Sequence, residues 1–172
     1  MRDLPRQLDL EQLSELFEGK TTLVERLAEI KRPLERAREI LHSLSDEEKL
    51  EALNAHPAIG AREELSARSA AEQGPDSDPA VLAELARLNA EYERRFGFRF
   101  VVFVNRQPKA EILEVLRERI ERTREQELDT ALGALVAIAR DRWQRSVPGP
   151  GTPPRLRRAK SEPGKDAGSA RT

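Results

Sequence analysis

The chain has 172 residues, a formal net charge of −1, no cysteine and only two histidines. That length accommodates one domain with a hydrophobic core plus a tail, and the lack of cysteine excludes a disulfide framework or a thiolate metal site and fits a reducing compartment. No apolar run, that of residues 100–104 included, is long enough to span a bilayer, and the start Met1-Arg2-Asp3-Leu4 lacks a signal-peptide pattern, so a soluble cytoplasmic protein is expected.

Leu10, Leu13 and Phe17, then Leu23, Val24, Leu27 and Ile30, recur at three and four residues and predict successive short helices. Pro33 interrupts the pattern, and a third helix is expected to carry Leu34, Ala37, Ile40, Leu41 and Leu44. Ser45-Asp46-Glu47-Glu48 reads as a capping box opening a fourth helix, with Leu50, Ala52 and Leu53 inward. This helix should stop at His56, because Pro57 disfavours a helical backbone in the residue before it. A histidine there lies near free carbonyls, where the helix dipole favours its cation, which makes His56 a candidate proton handler. The plainer reading is a capping or core residue.

After a turn at Gly60, residues 62–73 read as another helix with Leu65 inward. Ser69 stands three residues from Glu72 and four from Gln73, so the three share one face; a solvated helix end explains the same pattern. Asp78 and Pro79 form an N-cap and first turn for a long helix through Phe96, with Val81, Leu82, Leu85, Leu88 and Tyr92 as its buried stripe and Gly97 as its stop.

Residues 98–104 alone have strand character, and with no partner run they are expected as one extended segment rather than a sheet. The backbone of Phe100, Val101, Val102, Phe103 and Val104 must then find hydrogen-bond partners. A heterocycle with amide-like edges is one candidate, and burial as a core strip is the other. Pro108 opens the next helix, with Ile112, Leu113, Val115, Leu116 and Ile120 apolar, and a last helix runs from about Glu125 to Arg145. Arg142 continues its apolar stripe, either snorkelling at the core edge or holding an anion.

Residues 147–172 carry six basic side chains against Glu162 and Asp166, which leaves +4 on this segment and −5 on residues 1–146. Five prolines and four glycines, with few apolar side chains, predict a disordered basic tail. Such a tail could touch nucleic acid or an acidic partner, but no aromatic is interleaved with its charges, so nucleic acid is not expected as a partner, and the lack of a spanning run argues against a membrane. The expected fold is all-α, a single-domain bundle of about seven to eight helices over residues 1–146.

Five motifs in order then carry a resemblance: His56-Pro57-Ala58-Ile59-Gly60, Ser69-Ala70-Ala71-Glu72-Gln73, Leu88-Asn89-Ala90-Glu91-Tyr92, Phe96-Gly97-Phe98-Arg99-Phe100, and Arg142 in the closing helix. Together they resemble the OHCU decarboxylase family, whose substrate is 2-oxo-4-hydroxy-4-carboxy-5-ureidoimidazoline, over about residues 8–143. The resemblance implies an all-helical, usually homodimeric decarboxylase domain of urate breakdown, with neither metal nor organic cofactor, that forms (S)-allantoin. It implies His56 and Glu72 as catalytic residues. Substrate contacts fall on Pro57, on Ser69, Ala70, Ala71, Glu72 and Gln73, on residues 100–104, and on Arg142 as an anion partner. Arg99 departs from the proline that many members carry at its position. The competing readings are a decarboxylase of a related ureide and a non-catalytic helical adaptor that uses its apolar faces for association and its tail for acidic surfaces.

Overall fold

Seven helices build the described part, residues 2–57 and 78–146, of the computed structural model. They are α1 (Leu10–Phe17), α2 (Thr22–Ala28), α3 (Pro33–Ser43), α4 (Asp46–Asn54), α5 (Pro79–Phe96), α6 (Lys109–Arg119) and α7 (Arg124–Arg145). Among the described residues there is no strand, and residues 98–104 lie outside any helix. The expected all-helical bundle is therefore what forms. No helix of the described residues is long and apolar enough to cross a membrane. The expected helix over 62–73 and the tail from 147 lie outside the described residues.

Local chemistry sets the helix ends. Asp9, Ser45 and Thr123 each accept the backbone N–H of the third helical residue while that residue's side chain returns a bond to the cap, so α1, α4 and α7 all open on capping boxes. Asp78 accepts the Ala80 N–H at 2.9 Å ahead of Pro79, which opens α5 as the sequence predicts. Gly97 closes α5 at φ 80°, a left-handed conformation that costs glycine little.

The 22-residue α7 is the helix around which α1, α3 and α4 gather, while α2 packs on α1, α3 and α4, and α5 pairs with α6. Its inward line Ala131, Leu135, Ile138 and Ala139 meets Leu13, Leu16, Leu34, Leu41 and Leu53 in one continuous core. On α5 the buried stripe is Leu85, Leu88, Asn89, Tyr92 and Phe96; Val81 and Leu82, expected to be part of it, are half-buried. Tyr92 centres an aromatic cluster, with ring centroids 4.6 Å from Phe96, 5.8 Å from Phe98 and 5.3 Å from Phe100.

A buried ionic group lies beside that cluster. The fully buried Glu127 carboxylate accepts from the Tyr92 hydroxyl at 2.7 Å, from Arg119 Nε at 2.7 Å and from Arg122 Nη1 at 3.0 Å. Burial, together with the bond to Glu127, raises the Tyr92 hydroxyl well above its ordinary range, so it remains a donor. Arg119 also donates through Nη1 to Val101 O at 2.9 Å and lies over the Phe100 ring at 4.7 Å. The segment 98–104 is thus anchored from α6 and α7 by side chains, in place of the partner strand it lacks.

Candidate active site

The end of α4 makes the site. The last turn tightens at Ala55, the His56 N–H still reaches Leu53 O at 3.3 Å, and Pro57 then carries the chain out of the helix. His56 is only 5% exposed. Its Nε2 is buried and meets no hydrogen-bond partner among the described residues.

Arg142 comes to this region from α7, 2% exposed. Its guanidinium is received by the C-terminal end of α1, with Nη1 donating to Glu15 O at 3.2 Å and to Leu16 O at 3.4 Å, and Nη2 to the Glu18 carboxylate at 3.0 Å. A helix C-terminus presents unsatisfied carbonyls and partial negative charge, so a buried cation is stabilised there. Glu18 follows α1 in the left-handed region, φ 59°, and Gly19 continues the turn at φ 123°. Of the two readings the sequence offers for Arg142, snorkelling is excluded by its burial. The anion it reaches within the described residues is Glu18.

Arg99 closes the other side. Its Nη1 donates to His56 O at 2.6 Å and Asn54 O at 3.3 Å, its backbone N–H donates to Asn54 Oδ1 at 2.9 Å, and its Nε faces Glu93 at 3.4 Å. These bonds tie the start of the extended segment to the turn that bears His56.

The electrostatic result corrects the expectation of a cationic histidine. Burial is the largest cause, the positive charge of Arg142 the next, and that of Arg99 a further one; Glu18 opposes them, and the His56 pKa is lowered from 6.5 to about 4. The carbonyls that were to favour a cation are partly taken by Arg99. At neutral pH the ring is an uncharged imidazole, able to accept a proton at one nitrogen and donate from the other.

Of the residues singled out from the sequence, the structure brings His56 and Arg142 into mutual electrostatic reach. Pro57 is half-buried beside His56. Phe100, Val101 and Val104 are buried, and Val102 and Phe103 are half-buried. Two carbonyls of this segment already accept from the protein, Val101 O from Arg119 and Val104 O from the Gln107 N–H at 2.9 Å. Ser69, Ala70, Ala71, Glu72 and Gln73 lie outside the described residues. Among the described residues no group of three or more histidine or acidic side chains is placed to hold a metal ion.

Sequence reasoning missed Glu18 and the network of Arg119 and Glu127. For Glu18 the available signal is the Glu-Gly pair ending an apolar helix. For Glu127 it is a carboxylate on the same line of α7 as Ala131, Leu135, Ile138 and Arg142, at four, four, three and four residues.

A family model described as OHCU decarboxylase matches residues 2–144. A 2-oxo-4-hydroxy-4-carboxy-5-ureidoimidazoline decarboxylase of Halalkalicoccus jeotgali is 35% identical over 113 residues, covering 63% of this chain and 64% of the relative. A uric acid degradation bifunctional protein of Bacillus sp. strain TB-90 is 31% identical over 147 residues, covering 77% of this chain and 28% of the relative. The match thus spans less than two thirds of either relative. A crystal structure of OHCU decarboxylase in the presence of (S)-allantoin superposes with a TM-score of 0.64 at 25% identity, covering 78% of this chain and 96% of that one.

Proposed function

The chain belongs to the OHCU decarboxylase family, and from that premise we propose that it converts 2-oxo-4-hydroxy-4-carboxy-5-ureidoimidazoline to (S)-allantoin and carbon dioxide. The observation that carries the reading is the buried, neutral His56, whose Nε2 meets no partner among the described residues and whose ring feels the charges of Arg142 and Arg99. A neutral imidazole shielded from water is suited to take and return one proton.

The carboxylate of this substrate sits on a ring carbon that also bears a hydroxyl and adjoins a C=N bond. When the bond to the carboxylate breaks, its electron pair forms a double bond within the ring and the C=N electrons move onto nitrogen. Carbon dioxide leaves, that nitrogen takes up a proton from solvent, the hydroxyl loses its proton to become the ring carbonyl, and the neighbouring carbon gains a proton. The substrate is its own electron sink, so the reading assigns no organic cofactor or metal.

His56 accepts the hydroxyl proton and returns one to carbon from a single side, which fixes the enantiomer. Glu72 orients His56 or the ureido N–H groups, and Pro57, Ser69, Ala70, Ala71 and Gln73 line the same site. The backbone of residues 100–104 meets the ring's amide edges. Arg142 faces the anionic part of the substrate and shares its guanidinium between that group and Glu18. The same reading makes residues 1–146 the catalytic domain and, as the family resemblance implies, the active form a homodimer; the composition adds a cytoplasmic location.

The test is turnover of freshly generated substrate by the full chain, followed by circular dichroism of the product. The expected result is acceleration over the spontaneous reaction with a single allantoin enantiomer. Racemic product at the spontaneous rate would overturn the reading, and turnover of a related ureide alone would replace the substrate.

A further inference from the structure

We infer that Arg99 is a positioning residue for His56: its guanidinium and backbone N–H clamp the turn at the end of α4 and so fix where the imidazole stands. The inference rests on the reading that His56 handles the proton.

Three bonds carry it. Where α4 ends, the carbonyls of its last turn lose their helical partners, and Pro57 has no N–H with which to continue the pattern. Arg99 Nη1 takes two of these oxygens, His56 O at 2.6 Å and Asn54 O at 3.3 Å. The Asn54 side chain accepts the Arg99 N–H at 2.9 Å, so backbone and side chain of one residue bracket the turn. Glu93 on α5 faces Arg99 Nε at 3.4 Å and holds the guanidinium in place.

Because His56 Nε2 meets no partner among the described residues, no bond at that nitrogen sets the ring's direction. The backbone beneath it does, and Arg99 holds that backbone. The planar fork of arginine suits two carbonyls at once, which a lysine ammonium meets only as a point donor. Among the described residues the charged groups acting on the ring are Arg142 from α7, Glu18 from the end of α1, and Arg99 itself.

The experiment compares full-length wild type, Arg99→Ala, Arg99→Lys and His56→Asn for kcat, KM and their pH profiles on the ureidoimidazoline substrate, with melting curves to show that each is folded. Displacing a reacting group by about 1 Å costs on the order of a hundredfold. Arg99→Ala is therefore expected to lose about tenfold to a hundredfold in kcat with KM little changed, and to move the acid limb of kcat/KM to higher pH as one positive charge leaves His56. Arg99→Lys is expected to recover part of the kcat and to keep the limb in place. A folded Arg99→Ala with wild-type kcat, or one whose loss lies in KM alone, overturns the inference while leaving His56 in its role if His56→Asn is inactive. Full activity of His56→Asn overturns both.

Discussion

Replacing His56 by asparagine is expected to lower kcat on the ureidoimidazoline substrate by about a hundredfold to ten-thousandfold, the usual contribution of a positioned general acid or base. Asparagine keeps a polar side chain at the site but does not exchange a proton near neutral pH. The chain should stay folded, since His56 makes no side-chain bond at Nε2 among the described residues. The measurement is single-turnover kinetics at matched folded concentration, judged by circular dichroism. Wild-type rates in a folded variant would remove His56 from the chemistry.

The second large effect is on stability. Glu127→Ala is expected to cost about 3–5 kcal/mol, because removing one partner of a buried pair strands the other charge. Arg119 is that other charge: its side chain is 7% exposed, and its Nη2 already lacks a partner among the described residues. Tyr92 would lose its acceptor in the same substitution. A typical domain is stable by roughly 5–15 kcal/mol, so this loss takes a large share and should show in urea unfolding. Glu127→Gln, which retains an acceptor for Tyr92 and Arg119, should cost less than Glu127→Ala. The effect reaches the site as well, because Arg119 holds Val101 O and with it the segment 98–104 that carries Arg99. An Ala variant within experimental error of wild type would show that the network adds nothing.

Much of the architecture is legible in sequence because it is decided within a few residues. The Ser45 and Glu48 box, the Asp78 and Pro79 start and the Gly97 stop all stand where their side-chain chemistry places them. His56 is legible as a candidate because a chain with two histidines and no cysteine offers few alternatives. Its charge state is not. Helix position argues for a cation, but the groups that decide the matter arrive from elsewhere in the chain: Arg99 bonds His56 O across 43 residues, and Arg142 meets Glu18 across 124. Nothing in the local pattern of residues 53–57 announces either.

The same holds for the two charges on the inward line of α7. A helix reading sees Glu127 and Arg142 as interruptions or edges of an apolar stripe, whereas both are buried ion-pair members at its two ends. One fixes the aromatic cluster and the extended segment, and the charge of the other acts on the imidazole. Their partners, Arg119 and Glu18, come from other elements, so only the folded chain reveals them.

His56 is held neutral by burial and by the charges of Arg142 and Arg99, and the ring's own titration tests this. Its folded value lies below the 6.5 of the unfolded chain. Above that pH both states are uncharged and the stability contribution is complete. As pH falls from about 6.5 towards about 4, the unfolded chain binds a proton that the folded chain refuses, and stability declines by on the order of 3 kcal/mol. The direct measurement is an NMR titration of the His56 ring in the full-length protein, assigned by its loss in His56→Asn. A midpoint near pH 4 is predicted, and a midpoint at or above 6.5 would contradict the account.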